Sequence, residues 1–352
     1  MRIAYLVFLS VLSSMGFAQT AKYSNAFLNI GVDARALGMS NSVVGHVGDA
    51  TAGYWNPAGL ARIEGYDFAA MHAEYFAGIA QYDYLSGVMP ISTGVVGISL
   101  IRFGVDNILN TTRLIDENGN VDYNRITRFS AADYAMLVSY ARTLGVEGLS
   151  VGGNVKVIYR QIGDFADAFG FGLDAGVQYR TGKWAFGATV HDVTTTVNSW
   201  VFNTRDLEDI FEQTGNDLPQ NGFEITLPRM QLGGGYSFDL NDNLILLTEL
   251  NAEVTFDGER NTLISSSWAS VTPMFGFEIG WKKLVFLRGG VGNFQKETDF
   301  DGSRYTTFQP NIGVGFSYYG ISIDYALTDI GDQSGAVYSN VFSLKFHLDK
   351  KR

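Results

Sequence analysis

From residue 65 to residue 348 the chain alternates apolar and polar positions with period two. In 149–161, Leu149, Val151, Val155, Val157 and Tyr159 share one face, and Ser150, Asn154, Lys156 and Arg160 share the other. The same alternation returns in 168–180, 230–240 and 340–348. Period two this regular predicts half-buried strands. The pattern predicts about fourteen of them, an even number that suits a bacterial outer-membrane barrel. They fall near 67–77, 79–90, 94–104, 129–142, 149–161, 168–180 and 184–193. The second half gives 229–240, 243–256, 272–282, 284–294, 306–319, 321–328 and 340–348. Alternation is blurred in the first three.

The connections sort by length. Tight turns follow the even-numbered strands, near Ser92-Thr93, Gly145–Gly148, Thr181-Gly182, Asn241-Asp242 and Lys282-Lys283, and at Gly320. Longer polar loops follow most odd-numbered strands, at 105–128, 194–228, 257–271, 295–305 and 329–339, with a short exception around Ala77-Gly78. Tyr140, Tyr179, Trp184, Phe238, Trp281 and Tyr318 all fall on the apolar face beside the tight turns. Long loops on one rim, tight turns on the other and an aromatic girdle describe an all-β, antiparallel outer-membrane β-barrel with its apolar face toward lipid. Long loops are then extracellular and both termini periplasmic. Asn118-Gly119 in loop 105–128 is a type I′ turn signal, so those strands extend as a hairpin beyond the bilayer.

Two segments precede the barrel. Met1–Ala18 reads as a secretory signal: Arg2, an apolar run, then Gly16 and Ala18 before Gln19. Residues 19–64 read as a hatch, because 31–60 is rich in small residues and broken by Gly38, Gly45, Gly48 and Gly53. Asn56 can cap a helix and Pro57 suits its first position, while Ala58 and Gly59 permit close backbone packing. The domain plan is 1–18 signal, 19–64 hatch, 65–348 barrel and 349–352 periplasmic tail.

The hatch carries a family likeness. DARALGM at 33–39 and GDATAGYWNPAGL at 48–60 together resemble the start of the PorV/PorQ family of Bacteroidetes. That family is related to the FadL-type outer-membrane barrels, which share the small-residue hatch and its Asn-Pro-Ala. The resemblance implies a role in type IX protein secretion, with translocon, cargo or attachment proteins as partners. The alternative it leaves open is a FadL-like transporter for hydrophobic small molecules. A transporter of that kind needs an apolar pocket above the hatch and a lateral opening between strands.

Charge and candidate chemistry narrow this further. The formal net charge of −11 argues against nucleic acid as a partner. Cysteine is absent, which excludes small disulfide-stapled folds. With apolar residues toward lipid, the lumen receives Lys156, Arg160, Asp174, Arg180, His191, Glu249, Glu253, Glu278, Arg288 and Asp324. The simplest register sets Lys156 opposite Asp174 and Glu278 opposite Arg288, as ordinary cross-strand pairs. Mixed charge argues against an ion-selective pore, and a hatch in the lumen leaves it plugged. In loop 194–228, Thr204 can cap a short helix that puts Leu207, Ile210 and Phe211 on one face, preceded by Trp200 and Phe202. These residues form either a partner-docking surface or a lid.

Catalytic signals are weak. Gly148–Gly152 matches a nucleophile elbow but lies along a strand rather than at a strand-to-helix corner. The four histidines are dispersed without metal-ligand spacing. The sequence reads as a non-enzyme without a cofactor.

Overall fold

The computed structural model describes residues 24–349, apart from 116–118, 206, 209–210, 213–214 and 331–337. The signal segment and the last three residues lie outside that range, as does Asn118. Fourteen antiparallel strands close into a barrel. The first six are Tyr66–Tyr75, Ala80–Ile91, Gly94–Asn110, Thr127–Thr143, Leu149–Ile162 and Ala166–Thr181. The seventh runs as Trp184–His191 and, after a break, Thr196–Phe202; the eighth runs as Gly222–Thr226 and then Arg229–Asn241. Leu244–Thr255, Ser270–Trp281, Val285–Thr298, Arg304–Tyr318, Ile321–Thr328 and Ser339–Leu348 complete the ring. Tyr66–Tyr75 pairs with both Ala80–Ile91 and Ser339–Leu348, which closes it.

Strand ends depart from expectation mainly on the long-loop rim. Gly94–Asn110 and Thr127–Thr143 are 17 residues each, longer than the roughly 9–11 that cross a bilayer. Their pairing continues past a bulge to Asn110 and Thr127. Much of loop 194–228 is strand as well, because 196–202 and 222–226 pair with each other. The fifth and sixth strands meet through only 163–165, a second short exception on that rim.

Side-chain direction follows the predicted alternation. Val155, Val157, Phe171, Leu250, Phe275 and Val314 are exposed on the outside, and all six expected girdle aromatics are exposed beside the tight turns. Lys156, Asp174, Glu249, Glu278, Arg288 and Asp324 are buried inside. The exterior of the first three strands also carries a charged cluster. His72 Nδ1 lies 2.7 Å from Asp83 Oδ1, and Arg102 Nη1 donates to Asp83 Oδ2 at 3.3 Å. Cross-strand pairing offsets part of the cost of that position.

Inside the ring lies the N-terminal segment. It contains the 3-10 turn Ala26–Asn29, the helical turns Ala34–Gly38 and Ala52–Trp55, and the 3-10 helix Pro57–Arg62. Its start, Ser24, bonds Thr226 and accepts from Arg160 in the long-loop half. Its end joins the first strand at the tight-turn rim, beside Leu348. Between Ser24 and Gly65 the segment therefore descends through the lumen from the long-loop half to the tight-turn rim.

The segment packs on the wall backbone to backbone. A Cβ on Gly152 would sit 2.5 Å from Pro57 C and 2.7 Å from Ala58 N, and one on Gly290 would sit 2.5 Å from Met39 C. No side chain fits at either site without displacing the segment. We therefore expect Gly152→Leu and Gly290→Leu to keep the barrel, read as its heat-modifiable gel mobility. Both should cost about 1–3 kcal/mol by overpacking and open residues 24–63 to protease. A segment as resistant as in the unaltered protein would contradict the close packing.

Candidate functional site

The segment's short turns meet only part of its own backbone, such as Leu37 N to Asp33 O and Asn56 N to Ala52 O, so the remaining buried N–H and C=O groups need other partners. The wall supplies them. Asn154 Nδ2 donates to Gly53 O at 2.8 Å, Gln178 Nε2 to Val47 O at 2.9 Å, and Arg180 Nη2 to His46 O at 2.6 Å. Ala34 N donates to Ser343 Oγ at 2.7 Å, and Gly45 N to Glu249 Oε1 at 2.7 Å. Glu249, expected in the lumen, also meets His46 Nδ1 at 2.6 Å.

Asn56 is fully buried. Its Oδ1 accepts from Ala58 N at 3.2 Å, the expected cap, with Pro57 first in the following 3-10 helix. Its Nδ2 adds two bonds the sequence did not foretell, to Val44 O at 3.1 Å and Val177 O at 3.0 Å. The hatch motif thus ties two parts of the segment to the sixth strand. Ala58 and Gly59 are buried beside it.

Two ionic clusters flank the segment. Toward the tight-turn rim, Lys345 Nζ meets Asp33 Oδ2 at 2.7 Å and Asp49 Oδ2 at 3.0 Å. Arg288 bridges Glu278 and Asp324 at 2.6 Å each, and Arg35 reaches Glu278 at 2.8 Å. Glu278 stands opposite Arg288 as predicted. Burial drives the Asp33 carboxyl above its ordinary range despite Lys345. Burial also acts on Asp49, but Lys345, the Thr51 hydroxyl and Arg35 outweigh it and hold that carboxyl well below the usual range. Arg35, Asp33, Asp49 and Lys345 were not singled out from sequence. The first three signal themselves only as charge within an otherwise small, apolar segment, and Lys345 only as a polar position in the alternation of the last strand.

The second cluster sits behind the break in the seventh strand. Lys156 Nζ is 2.8 Å from Asp174 Oδ1 and 2.6 Å from Asp192 Oδ1. The simple register fails here: Lys156 stands opposite Gly172, and Asn154 opposite Asp174. The long lysine side chain closes the pair diagonally, over a glycine that leaves room. Asp192 and Thr195 have φ of 57° and 63°, so the strand turns sharply between its two halves. Val193 N still donates to Leu173 O at 2.8 Å.

Above the segment, in the long-loop half, is a cavity of about 630 Å³. Phe27, Ile30 and Leu37 of the segment form its floor, with Tyr75, Phe76, Phe103 and Met274 as apolar wall. Arg160, Asp133, Gln231, Glu253, Asn311 and Asp329 give it a polar side. A second cavity, about 350 Å³, lies at the ionic cluster near the opposite rim and shares no lining residue with the first.

Trp200 and Phe202 of loop 194–228 face inward, while Phe223 is exposed. Trp200 Nε1 donates to Glu224 Oε2 at 3.0 Å, and the Arg160 guanidinium lies 5.1 Å from its ring centroid. Phe202 stacks beside it with centroids 5.9 Å apart. Leu207 is buried and Phe211 half-buried, and Leu207 N donates to the Thr204 backbone carbonyl at 2.8 Å. Ile210 lies outside the described residues. Trp200 and Phe202 are not the exposed surface the loop suggested; Trp200 is held by cross-strand partners in a paired strand. Ser150 of the elbow-like match is buried at the start of the fifth strand, its hydroxyl donating to Gln178 O at 3.4 Å.

No protein-family model matches the chain, and no curated protein matches it. Solved structures do. The Ralstonia pickettii toluene transporter TbuX is similar at TM-score 0.52 and 15% identity, over 90% of this chain and 98% of that one. A Pseudomonas aeruginosa FadL homologue gives 0.51 and 13%, over 90% and 98%. The Pseudomonas putida toluene transporter TodX gives 0.53 and 13%, over 91% and 99%. At such identities the likeness establishes the fold, an outer-membrane-type barrel.

Removing the Lys345 charge leaves Asp33, Asp49 and Asp324 facing one another at a largely buried site. Lys345→Met is expected to lose about 3–5 kcal/mol, read as the guanidinium midpoint of the folded barrel. Adding Asp33→Asn and Asp49→Asn should recover part of the loss. An unchanged midpoint in the single variant would remove this cluster as an anchor of the segment.

Proposed function

We propose that this protein is an outer-membrane barrel that admits hydrophobic small molecules from its long-loop side into the lumen cavity. The observation that carries the reading is the cavity of about 630 Å³, floored by Phe27, Ile30 and Leu37 and walled by Tyr75, Phe76 and Phe103. Its volume and apolar lining fall within the range of small-molecule sites. The fold of the toluene transporters supports the same reading. Residues 24–63 act as a plug beneath the cavity, held by the Asn56 bonds and the ionic clusters, so the barrel does not conduct freely. The long loops face outward from the cell, and the exposed apolar belt contacts membrane lipid.

The secretion role implied by the hatch motifs finds no support in these neighbours. The inward turn of Trp200 and Phe202 favours a lid over a protein-docking surface. Purification in mild detergent separates the two readings. We expect co-purified lipid-like or aromatic molecules by mass spectrometry; stoichiometric recovery of translocon or cargo proteins would favour secretion instead. In planar bilayers the full chain should pass no steady current, while removal of residues 24–62 should give an ohmic channel. A conducting full chain would refute the plug.

A further inference from the structure

We infer that the outer wall of strands two to five holds one membrane lipid whose head carries a phosphate and an ammonium together, as in phosphatidylethanolamine. The inference needs the barrel to sit in a bilayer and is independent of what the lumen cavity admits. Two adjacent rows of outward side chains build the site. Across the paired strands, one row is His72, Asp83, Arg102 and Tyr134. The next row toward the tight turns is Leu85, Leu100, Met136 and Val157, all exposed. Both rows contribute lining to a groove of about 400 Å³ on the outer surface, a volume within the range of small-ligand sites.

The rows mark a boundary. Toward the tight turns the outward positions stay apolar, through Ile98 and Val138 to Tyr140. Toward the long loops they become small or polar, with Gln81, Gly104, Ala132 and Gln161 one row further on. Charge on a lipid-facing wall costs less near the interface than at mid-depth, so the charged row fits head-group level. The Arg102 side chain extends the same way over Gly104, where a Cβ would lie 2.7 Å from its Nη2. An acyl chain laid along the aliphatic row therefore brings its head to Arg102.

The charged groups there are loosely engaged and open. Arg102 Nη1 donates to Asp83 Oδ2 at 3.3 Å, and Nη2 is 3.8 Å from Asp106 Oδ2. The side chains of Arg102, Asp83 and Asp106 keep 30%, 40% and 45% exposure. A guanidinium pairs well with a phosphate. Two carboxylates flank this guanidinium, so a head with phosphate alone leaves acid unmatched, and an ammonium meets it.

The test is native mass spectrometry of the full chain, stripped of lipid in detergent and titrated with phosphatidylethanolamine or phosphatidylglycerol of the same acyl chains. One phosphatidylethanolamine is expected to bind about tenfold tighter than phosphatidylglycerol, the scale of one charge-assisted hydrogen bond. The double variant Asp83→Leu with Arg102→Leu, checked for folding by heat-modifiable mobility, should bring the two lipids level. Met136→Trp, which fills the groove and leaves the charges, should weaken both alike. Equal or reversed affinities in the unaltered protein, or a preference that survives the double variant, overturn the inference. So does a dimer that persists after delipidation and is lost in the double variant, which assigns this wall to a second copy of the chain. Solubility without detergent overturns the membrane reading itself.

Discussion

An irregular chain buried in a barrel has to find a partner for every peptide group it hides from water. That constraint organises this protein. Residues 24–63 meet part of their backbone in short turns, and carbonyls and amides left over at Ala34, Gly45, His46, Val47 and Gly53 are met by the inward side chains of Ser343, Glu249, Arg180, Gln178 and Asn154. Wall glycines let the segment come close enough for such bonds to form. The polar lumen is thus built as a mould for a particular stretch of backbone. Its charges compensate one another locally, as in the chain from Arg35 through Glu278, Arg288 and Asp324 to Lys345.

The mould is lopsided. Strands one to five present Met71, Tyr75, Tyr82, Tyr84, Ile101, Leu137 and Ile158 to the interior, where they pack on Val32, Trp55, Leu60 and their neighbours. Strands six to thirteen present mostly polar and charged groups. One side of the segment is therefore seated by apolar burial and the other by hydrogen bonds and ion pairs. The large cavity lies where these two surfaces meet above the segment, which is why its lining is divided between aromatic rings and amides.

Much of the barrel was legible because lipid on one side and a polar interior on the other impose strict alternation. Where that rule relaxes, the reading blurs for a physical reason. The first three strands lost their alternation because their inward residues, such as Tyr82 and Tyr84, are apolar too. The Lys156–Asp174 contact was foreseen, but its register was not, since a long side chain can reach across a glycine. Asn56 was readable as a cap, whereas its bonds to Val44 and Val177 depend on which strand the segment meets.

The path of the segment also constrains how such a molecule can be made. It descends from Ser24 near the long loops to Gly65 at the opposite rim, bonded on the way to strands all around the ring. The first strand it leads into is also the one that seals the ring against the last. Zipping that seam after the segment has settled lets each lumen group find its mate while the wall is still open. Zipping it beforehand would force some forty residues to sort their contacts within a closed tube. Biogenesis thus favours the seam as the final event, with the enclosed stretch serving as the template around which the cylinder is drawn shut.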